Sequence, residues 1–293
     1  MSADQEIWTI GRLLNWTTEY LSNTGSTSPR LDAEVLLAEA RCCERIDLYT
    51  AFDETADEKM RTVFRDLVRR RAAGTPVAYL VGQREFYSMA FEVTPAVLVP
   101  RPETEFLIVA LLDQVKQEQS KRTLRIADIG TGSGVLAVTA AVQLNDCQVT
   151  ATDVSSAALD VARRNASRHR VSDRIDWREG NLFSALEAEV EFDYVLSNPP
   201  YVSEEEYQQL PSDVRDHEPR GALVAGERGT EVIEQLVSGA VAHTKPGAWL
   251  LVEISPMIEQ AVSDSFATNG AWQLERITKD HAGLARVVQA RRV

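Results

Sequence analysis

Cysteine is scarce in this sequence, which contains only three in 293 residues. Cys42 and Cys43 are adjacent, and no cysteine belongs to a CxxC pair. The spacing therefore indicates neither a disulfide framework nor a zinc ribbon. The four histidines are scattered along the chain without an HExxH spacing. We therefore expect no metal site.

Long apolar runs are also missing. No stretch approaches the roughly 18 consecutive apolar residues that would predict a membrane span. The first residues lack a basic segment followed by an apolar one, and they are too acidic for an organelle transit peptide. These absences predict a cytoplasmic protein with no membrane association.

Positive charge is in short supply. The chain has 31 Lys and Arg against 44 Asp and Glu, which gives a formal net charge of −13. A protein that tracks long nucleic acid usually carries a basic stripe, whereas only short basic clusters such as residues 69–71 are present. We therefore expect no stable nucleic-acid complex, although an acidic chain can still act on a nucleic-acid substrate. A basic partner would suit this charge better.

The N-terminal region, by contrast, carries a clear helical pattern. Apolar residues recur at near-helical spacing from Ile7 to Leu21, and further helices are predicted over residues 31–40 and 57–72. Helices joined by such short connections predict a small bundle.

The pattern changes after this helical region. Strand-like runs at residues 85–87 and 90–93 predict a hairpin, and the two prolines in residues 99–105 predict an extended junction. We predict three parts, which are a helical domain at residues 1–81, a β-hairpin linker at 82–102 and a larger domain at 103–293.

The remainder of the chain alternates between strands and helices. After a helix at 103–119, strands are predicted at 124–129, 149–153, 174–179, 192–197 and 249–254, and helices at 135–144, 157–169, 231–242 and 256–266. This alternation predicts an α/β fold, with a mostly parallel sheet covered by helices on both faces. The last two strands, at 272–277 and 285–290, are too close together for an intervening helix, so an antiparallel edge is predicted.

A glycine-rich loop lies between the first strand and the first helix of this alternation. It reads Asp128-Ile129-Gly130-Thr131-Gly132-Ser133-Gly134. In open α/β sheets ligands bind at the carboxyl ends of the strands, and glycine allows a ligand to approach the backbone closely. Asp153 ends the next strand, where a carboxylate can accept hydrogen bonds from both hydroxyls of a ribose.

A dinucleotide site is the main alternative for this loop. The dinucleotide fingerprint GxGxxG needs a third glycine three residues after the second, and Val135 stands at that position. The observed GxGxG after an acidic residue favours an adenosine ligand without a pyrophosphate, with Asp128 available to pair with an ammonium group. The loop alone leaves open both NAD and a tight turn without any ligand.

A second motif, Asn198-Pro199-Pro200-Tyr201, follows the strand predicted at 192–197. The two prolines stiffen the turn and leave the carbonyl of Pro199 available as an acceptor, and the side-chain oxygen of Asn198 is a second acceptor. Two fixed acceptors match the two hydrogens of a planar amide or amino group, and Tyr201 offers a flat face for stacking. On the same sheet edge as the glycine loop, this motif predicts methyl transfer to a planar nitrogen.

With these motifs the sequence resembles the release factor glutamine methyltransferase family over nearly the whole chain. Residues 74–80, 97–105 and 214–219 look like further family segments. The glycine loop is shared by many methyltransferases, whereas Arg-Pro-Glu-Thr-Glu at 101–105 behind a helical domain is more specific. The resemblance implies a Rossmann-like class I methyltransferase fold with a seven-stranded sheet, an N-terminal helical bundle domain and a β-hairpin linker.

The resemblance also implies an activity. Members of this family transfer a methyl group from S-adenosylmethionine, leaving S-adenosylhomocysteine, to the glutamine of the Gly-Gly-Gln motif in class 1 peptide chain release factors. This modification modulates translation termination, and the helical domain helps to hold the protein substrate. The expected partner is therefore a release factor, and the enzyme is expected to be a monomer.

The family's site residues can be carried over by position. Those implied in catalysis are Asn198, Pro199, Pro200 and Tyr201. Those implied in cofactor binding are Asp128, Gly130, Thr131, Gly132, Ser133, Gly134, Asp153, Asn181, Leu182 and Asn198. Those implied in substrate binding are Asn198, Pro199, Pro200, Tyr201, Arg101 and Glu103. Asn181-Leu182 departs from the family's usual pattern near the adenine, which is an acidic residue followed by an aromatic or apolar one.

Two other functions stay open at this point. A nucleic-acid amino methyltransferase with the same catalytic motif would need a basic groove and stacking aromatics beyond Tyr201. A non-catalytic module would use the helical domain to bind a partner, and it would bind the cofactor without turnover.

Overall fold

The computed structural model describes residues 7–118 and 122–293. These residues form two compact units. One unit contains the chain up to Gly82 together with Ser212–His217, and the other contains Gln83–Pro211 and Glu218–Val293. None of the described helices combines the length and the apolarity that crossing a membrane requires.

The first unit is a bundle of short helices. Its helices are α1 (Ile10–Asn23), α2 (Pro29–Arg41), α3 (Asp47–Thr50), α4 (Glu58–Ala72), α5 (Val77–Val81) and α10 (Ser212–Arg215). Helix α1 begins at Ile10 because the Thr9 hydroxyl accepts a hydrogen bond from the backbone N–H of Arg12, and Asp57 caps α4 in the same way. The predicted start at Ile7 was too early, and that side chain is 66% exposed.

The segment Ser212–His217 joins this bundle although it lies far from it in sequence. The guanidinium of Arg71 is largely buried, and it pairs with Asp32 at 2.8 Å and with Asp213 at 3.7 Å. The ring of His217 lies against the backbone of Gly74, which takes up a positive φ of 99°. The sequence pattern gave no sign of this association.

The second unit contains the hairpin, the main sheet and its helices. Its strands are β1 (Gln83–Phe86), β2 (Met89–Glu92), β3 (Leu124–Ile129), β4 (Cys147–Asp153), β5 (Ile175–Glu179), β6 (Phe192–Ser197), β7 (Val202–Ser203), β8 (Val224–Gly226), β9 (Thr244–Glu253), β10 (Trp272–Lys279) and β11 (Ala285–Arg292). Its helices are α6 (Glu105–Glu118), α7 (Val135–Gln143), α8 (Ser156–Arg168), α9 (Glu204–Gln209), α11 (Glu231–Ala240) and α12 (Glu259–Asn269).

The main sheet has seven strands in the order β10-β11-β9-β6-β3-β4-β5. Strand β11 is antiparallel to both of its neighbours, and the other pairs are parallel. The predicted α/β fold of the Rossmann-like class I methyltransferase type is therefore confirmed, including the antiparallel edge. The predicted helix at 103–119 is instead a 3₁₀ turn at Pro102–Thr104 followed by α6, and residue 119 lies outside the described residues.

Both faces of the sheet are covered, which explains the nearly continuous apolar strands. On β6, Tyr194 and Leu196 pack in one core with α6 and α7, whereas Val195 packs in a second core with α11 and α12. Successive side chains of a strand point to opposite faces, so a single strand contributes to both cores. The carboxyl ends of β3, β4 and β6 then lie on one edge, where the two motifs emerge.

Candidate active site

A cavity of about 320 Å³ lies at the carboxyl ends of the parallel strands. Its walls include residues of both sequence motifs, which are Gly130, Thr131, Gly132, Ser133, Asp153, Asn181, Leu182, Asn198 and Pro200. This is the edge of an open α/β sheet at which ligands bind. The volume is at the lower end of the range for small-molecule sites.

The glycine loop forms one wall of this cavity. Gly130, Gly132 and Gly134 all have positive φ angles, of 78°, 55° and 82°. A Cβ atom at Gly130 or Gly132 would have no described atom within 4 Å, so both residues present bare backbone to open space. A Cβ at Gly134 would lie 3.0 Å from the Cβ of Ala162, so this glycine allows helices α7 and α8 to pack closely.

Asp128 anchors the loop from below. Its Oδ2 accepts hydrogen bonds from the Thr131 hydroxyl at 2.6 Å and from the backbone N–H of Ala137 at 3.0 Å. Among the described residues its Oδ1 has no hydrogen-bond partner. Burial raises the pKa of this carboxyl to about 7. Asp128 does not line the cavity, so direct pairing with a ligand ammonium stays a prediction.

Asp153 lines the cavity next to the glycine loop. Its two oxygens accept hydrogen bonds from the backbone N–H groups of Gly132 at 2.8 Å and Ser155 at 2.9 Å. Burial raises the pKa of its carboxyl above the ordinary value. A carboxylate has about four lone-pair positions, so Asp153 can still accept hydrogen bonds from a ligand.

Asn181 and Leu182 follow β5 and line the same cavity. Leu182 takes up a left-handed conformation with φ of 50°, which is uncommon for a side chain of this kind. The buried hydroxyl of Thr152 donates to the Leu182 carbonyl at 3.0 Å and stabilises this turn. The structure places both residues in the cavity lining, and their contact with an adenine stays a prediction.

The Asn-Pro-Pro-Tyr turn begins where β6 ends. The Ser197 hydroxyl donates to the carbonyl of Ile129 at 2.6 Å, which ties this turn to the end of the glycine-loop strand. Asn198 and Pro200 line the cavity, and Pro199 is buried. The Asn198 side-chain amide donates through Nδ2 to the Thr104 hydroxyl oxygen at 3.0 Å.

Tyr201 does not line the cavity. Its hydroxyl lies 3.4 Å from Oε1 of Glu253, a buried residue at the end of β9. Burial, with a smaller effect of the Glu253 carboxylate, raises the pKa of this phenol. The predicted stacking of Tyr201 on a substrate stays a prediction.

Arg101 and Glu103, the two junction residues predicted to bind substrate, also lie outside the cavity lining. The Arg101 guanidinium pairs with Glu218 at 2.6 Å, and the same carboxylate accepts from the backbone N–H of Val99 at 3.1 Å. Glu103 lies 3.9 Å from Arg286. In this geometry Arg101 holds the junction to the chain beyond Tyr201, and its role in binding substrate stays a prediction.

The connection between Ser203 and Gly229 is structured, and part of it reaches the cavity. Pro219, Gly221, Ala222 and Val224 belong to the lining. The acidic run at 204–206 forms the first turn of α9, where Ser203 and Glu206 make a reciprocal capping box. Because acidic side chains stabilise a helix N-terminus, this position explains the acidic run, and no binding protein has to be invoked for it.

Three contributors were missed by the sequence analysis. Thr104 was passed over for its neighbour Glu103, although it is buried and lines the cavity. Asn165 on α8 donates to the carbonyls of Ser133 and Glu92, and so joins the glycine loop to the hairpin. Glu253 could have been found from the sequence, because it is the last residue of a strand that ends at the ligand-binding edge.

Comparisons with known proteins cover both units. The family model described as the PrmC N-terminal domain matches residues 12–82, and the model described as the methyltransferase small domain matches residues 104–212. A protein of Rhodopirellula baltica named release factor glutamine methyltransferase is 49% identical over 282 residues, which cover 96% of this chain and 95% of that protein.

Two solved structures share the sheet architecture. The hMettl16 catalytic domain, in complex with the MAT2A 3′UTR hairpin 6, has a TM-score of 0.55 at 16% identity and covers 78% of this chain and 82% of its own. The T. thermophilus 16S rRNA N2 G1207 methyltransferase, in complex with AdoMet and guanosine, has a TM-score of 0.51 at 19% identity and covers 72% of this chain and 50% of its own. At these identities the likeness establishes the methyltransferase fold alone.

Proposed function

Because the chain belongs to the release factor glutamine methyltransferase family, we propose that it methylates the glutamine of the Gly-Gly-Gln motif in class 1 peptide chain release factors. The methyl group comes from S-adenosylmethionine and is placed on the side-chain amide nitrogen, N5. The modification modulates translation termination. We further propose that the enzyme acts as a monomer in the cytoplasm, where this substrate is used.

One observation carries the proposal: the Asn198 turn and the glycine loop line the same cavity. An acceptor for a planar –NH₂ group and a surface for an adenosine-bearing ligand thus meet at one edge of the sheet. A methyltransferase with the same sheet that methylates a group other than –NH₂ would not need the two fixed hydrogen-bond acceptors of the Asn-Pro-Pro turn.

The residues that line the cavity suit S-adenosylmethionine. The bare backbone of Gly130 and Gly132 leaves room for the ligand, and Asp153 supplies a carboxylate for ribose hydroxyls. Asn181 and Leu182 line the same cavity, and we assign them to the adenine. Among the described residues Asp128 Oδ1 has no hydrogen-bond partner, and when ionised this carboxylate would place negative charge near the methionine ammonium.

The chain's own contribution to the reaction is mainly position. S-adenosylmethionine supplies an electrophilic methyl group when it is bound. An amide nitrogen is a weak nucleophile because its lone pair is delocalised, so the acceptor must be held in line with that group. Asn198 Oδ1 and the Pro199 carbonyl would accept the two amide hydrogens, and they would stabilise positive charge as it develops on the nitrogen.

A protein substrate needs a surface beyond the cavity, and the helical unit offers one. Trp8, Trp16 and Tyr20 line a second depression, of about 460 Å³, together with arginines of α4 that include Arg65. Trp16 is 51% exposed, and its ring stacks on Tyr20 with centroids 5.1 Å apart. Exposed tryptophan beside arginine is the composition of energetically dominant interface residues. Arg61 and Arg69 are already paired with Glu58 and Asp66, so the exposed aromatic rings, more than charge, favour an apolar side chain of the release factor here.

Replacing Trp16 with alanine is expected to raise the KM for a release factor by about tenfold or more, since a buried interface tryptophan is typically worth about 2 kcal/mol. The affinity for S-adenosylmethionine should not change. Steady-state kinetics with varied release factor, beside calorimetric titration of the cofactor, would measure both. Ile46→Ala is the matched control, because Ile46 is an exposed apolar residue of the same unit outside this depression. Equal KM values for wild type and Trp16→Ala would remove this surface from the proposal.

The function itself is tested by methyl transfer from radiolabelled S-adenosylmethionine to a purified class 1 release factor. The same factor with its Gly-Gly-Gln glutamine changed to alanine is the control. Label on the first protein and not on the second is the expected result. Label on both would assign a different acceptor residue. Label on neither, but on added RNA or DNA, would replace the proposal with a nucleic-acid amino methyltransferase.

A further inference from the structure

We propose that Glu253 and Thr104 are positioning residues that fix the orientation of the Asn198 side-chain amide, so that its oxygen rather than its NH₂ group faces the methyl acceptor. The inference deepens the proposed function and rests on it, because it concerns how the acceptor amide is recognised.

The three residues meet through the sheet and the junction. Strands β6 and β9 are parallel, with Ser197 opposite Val252, so Asn198, just past the end of β6, and Glu253, the last residue of β9, are neighbours at this edge. Thr104 comes from the 3₁₀ turn after the junction and accepts a hydrogen bond from Asn198. It is 2% exposed, as is Glu253, so water competes little for either group.

The direction of the hydrogen bonds follows from what each group can do. The Thr104 hydroxyl lowers the pKa of the Glu253 carboxyl, as a hydrogen-bond donor does. An ionised carboxylate only accepts, so we assign the single hydroxyl hydrogen of Thr104 to Glu253. The Thr104 oxygen is then left with lone pairs alone. It can only accept from Asn198, and Nδ2 of Asn198 donates to it at 3.0 Å. The amide of Asn198 therefore cannot rotate by half a turn without losing this bond, and its Oδ1 is left as the acceptor for substrate.

Glu253 has no other structural task that accounts for its burial. Within the described residues its Oε2 has no hydrogen-bond partner, and its Oε1 is 3.4 Å from the Tyr201 hydroxyl. Buried carboxylates without full hydrogen bonding are costly, so such a group at a site edge calls for a function. Glu253 does not line the cavity, which makes it a positioning residue and not a base in contact with the substrate.

The charge of Glu253 is set by a mixed environment. Burial raises the pKa of its carboxyl to about 7, and nearby Glu103 adds to this effect. The hydrogen bonds from Thr104 and Tyr201 and the charge of Arg286 act in the opposite direction. Once Glu253 ionises near neutral pH, it can only accept a hydrogen bond, and this orients the Thr104 hydroxyl.

Three variants test the inference on the full-length enzyme. Thr104→Val keeps the side-chain shape but removes the hydroxyl, Thr104→Ser keeps the hydroxyl, and Glu253→Gln removes the obligatory acceptor. We expect kcat to fall by about 30-fold or more in Thr104→Val and Glu253→Gln, as for loss of one oriented hydrogen-bond acceptor at the reacting group. Thr104→Ser should stay within about threefold of wild type, and the calorimetric Kd for S-adenosylmethionine should stay unchanged in all three.

The pH profile gives a readout that a merely structural role would not move. Wild-type kcat should rise as pH increases through about 7, where Glu253 ionises, and Glu253→Gln should lose this rise. A rise that persists in Glu253→Gln would assign it to another group, such as Asp128, and would overturn the inference. Wild-type kcat in Thr104→Val, or an equal loss in Thr104→Ser and Thr104→Val, would overturn it as well. Absence of activity in the wild type itself would instead refute the proposed function, so the two failures are distinguishable.

Discussion

Turnover is expected to fall by about 100-fold to 1,000-fold when Asn198 is replaced by alanine, which is the usual effect of removing one oriented electrostatic contact from the transition state. Asn198 lines the cavity, and its amide is held by Thr104. Its loss removes one of the two acceptors proposed for the substrate amide, so the nitrogen would no longer be held in line for attack. The affinity for S-adenosylmethionine should change by less than about threefold, because the glycine loop and Asp153 do not depend on Asn198.

Single-turnover kinetics with a release factor, combined with calorimetry for the cofactor, separate these two effects. Asn145→Ala is a suitable control, because it removes an exposed asparagine that lies outside the cavity lining. A loss of cofactor affinity as large as the loss of turnover would show that Asn198 mainly holds the cofactor, and it would undo this division of roles.

Replacing Asp153 with alanine should have the opposite signature. The carboxylate is available to two ribose hydroxyls, and charge-assisted hydrogen bonds contribute about 1.5–3 kcal/mol each. It also holds the backbone N–H of Gly132 and Ser155, so its loss would loosen the cavity wall. We expect the Kd for S-adenosylmethionine to rise by about 100-fold, with kcat at saturating cofactor reduced by much less.

Titration of the cofactor by calorimetry, and kcat measured over a wide range of cofactor concentration, would test this expectation. Asp176→Ala on the neighbouring strand is a matched control, since Asp176 is exposed and pairs only with Arg178 among its described contacts. An unchanged Kd in Asp153→Ala would mean that the ribose is held elsewhere and would remove Asp153 from the cofactor site.

Much of the sheet could be predicted because its strands have sharp local ends. Strands β3 and β6 were predicted with the observed bounds, since the glycine loop and the Asn-Pro-Pro turn terminate them. Strand β9 was predicted to begin at Trp249 but begins at Thr244. Pro246 and Gly247 oppose a regular strand, and the structure accommodates them where the pairing with β6 shifts register.

Only those cavity residues that belong to contiguous sequence motifs could be predicted. The glycine loop and Asn198 are contiguous patterns that each state their own chemistry. Glu253 and Thr104 are single residues, 149 positions apart by their numbers. The parallel register of β6 and β9 brings Glu253 next to Asn198, and Asn198 in turn bonds to Thr104 from the 3₁₀ turn. The pair of Arg101 with Glu218 is of the same kind, because neither residue carries a local signal for the other.

The discontinuous helical unit limits how this molecule can be divided. A fragment that ends at Gly82 would retain Arg71 but lose Asp213, and the backbone of Gly74 would lose its cover by His217. A fragment that starts at Gln83 would keep Ser212–His217 as a stretch without its neighbours, starting 11 positions after Tyr201. A single cleavage between α9 and Glu218 would likewise separate part of the bundle from the rest. Neither fragment alone therefore reproduces the intact chain. A recombinant helical unit would need residues 212–217 attached to it to contain all of its segments.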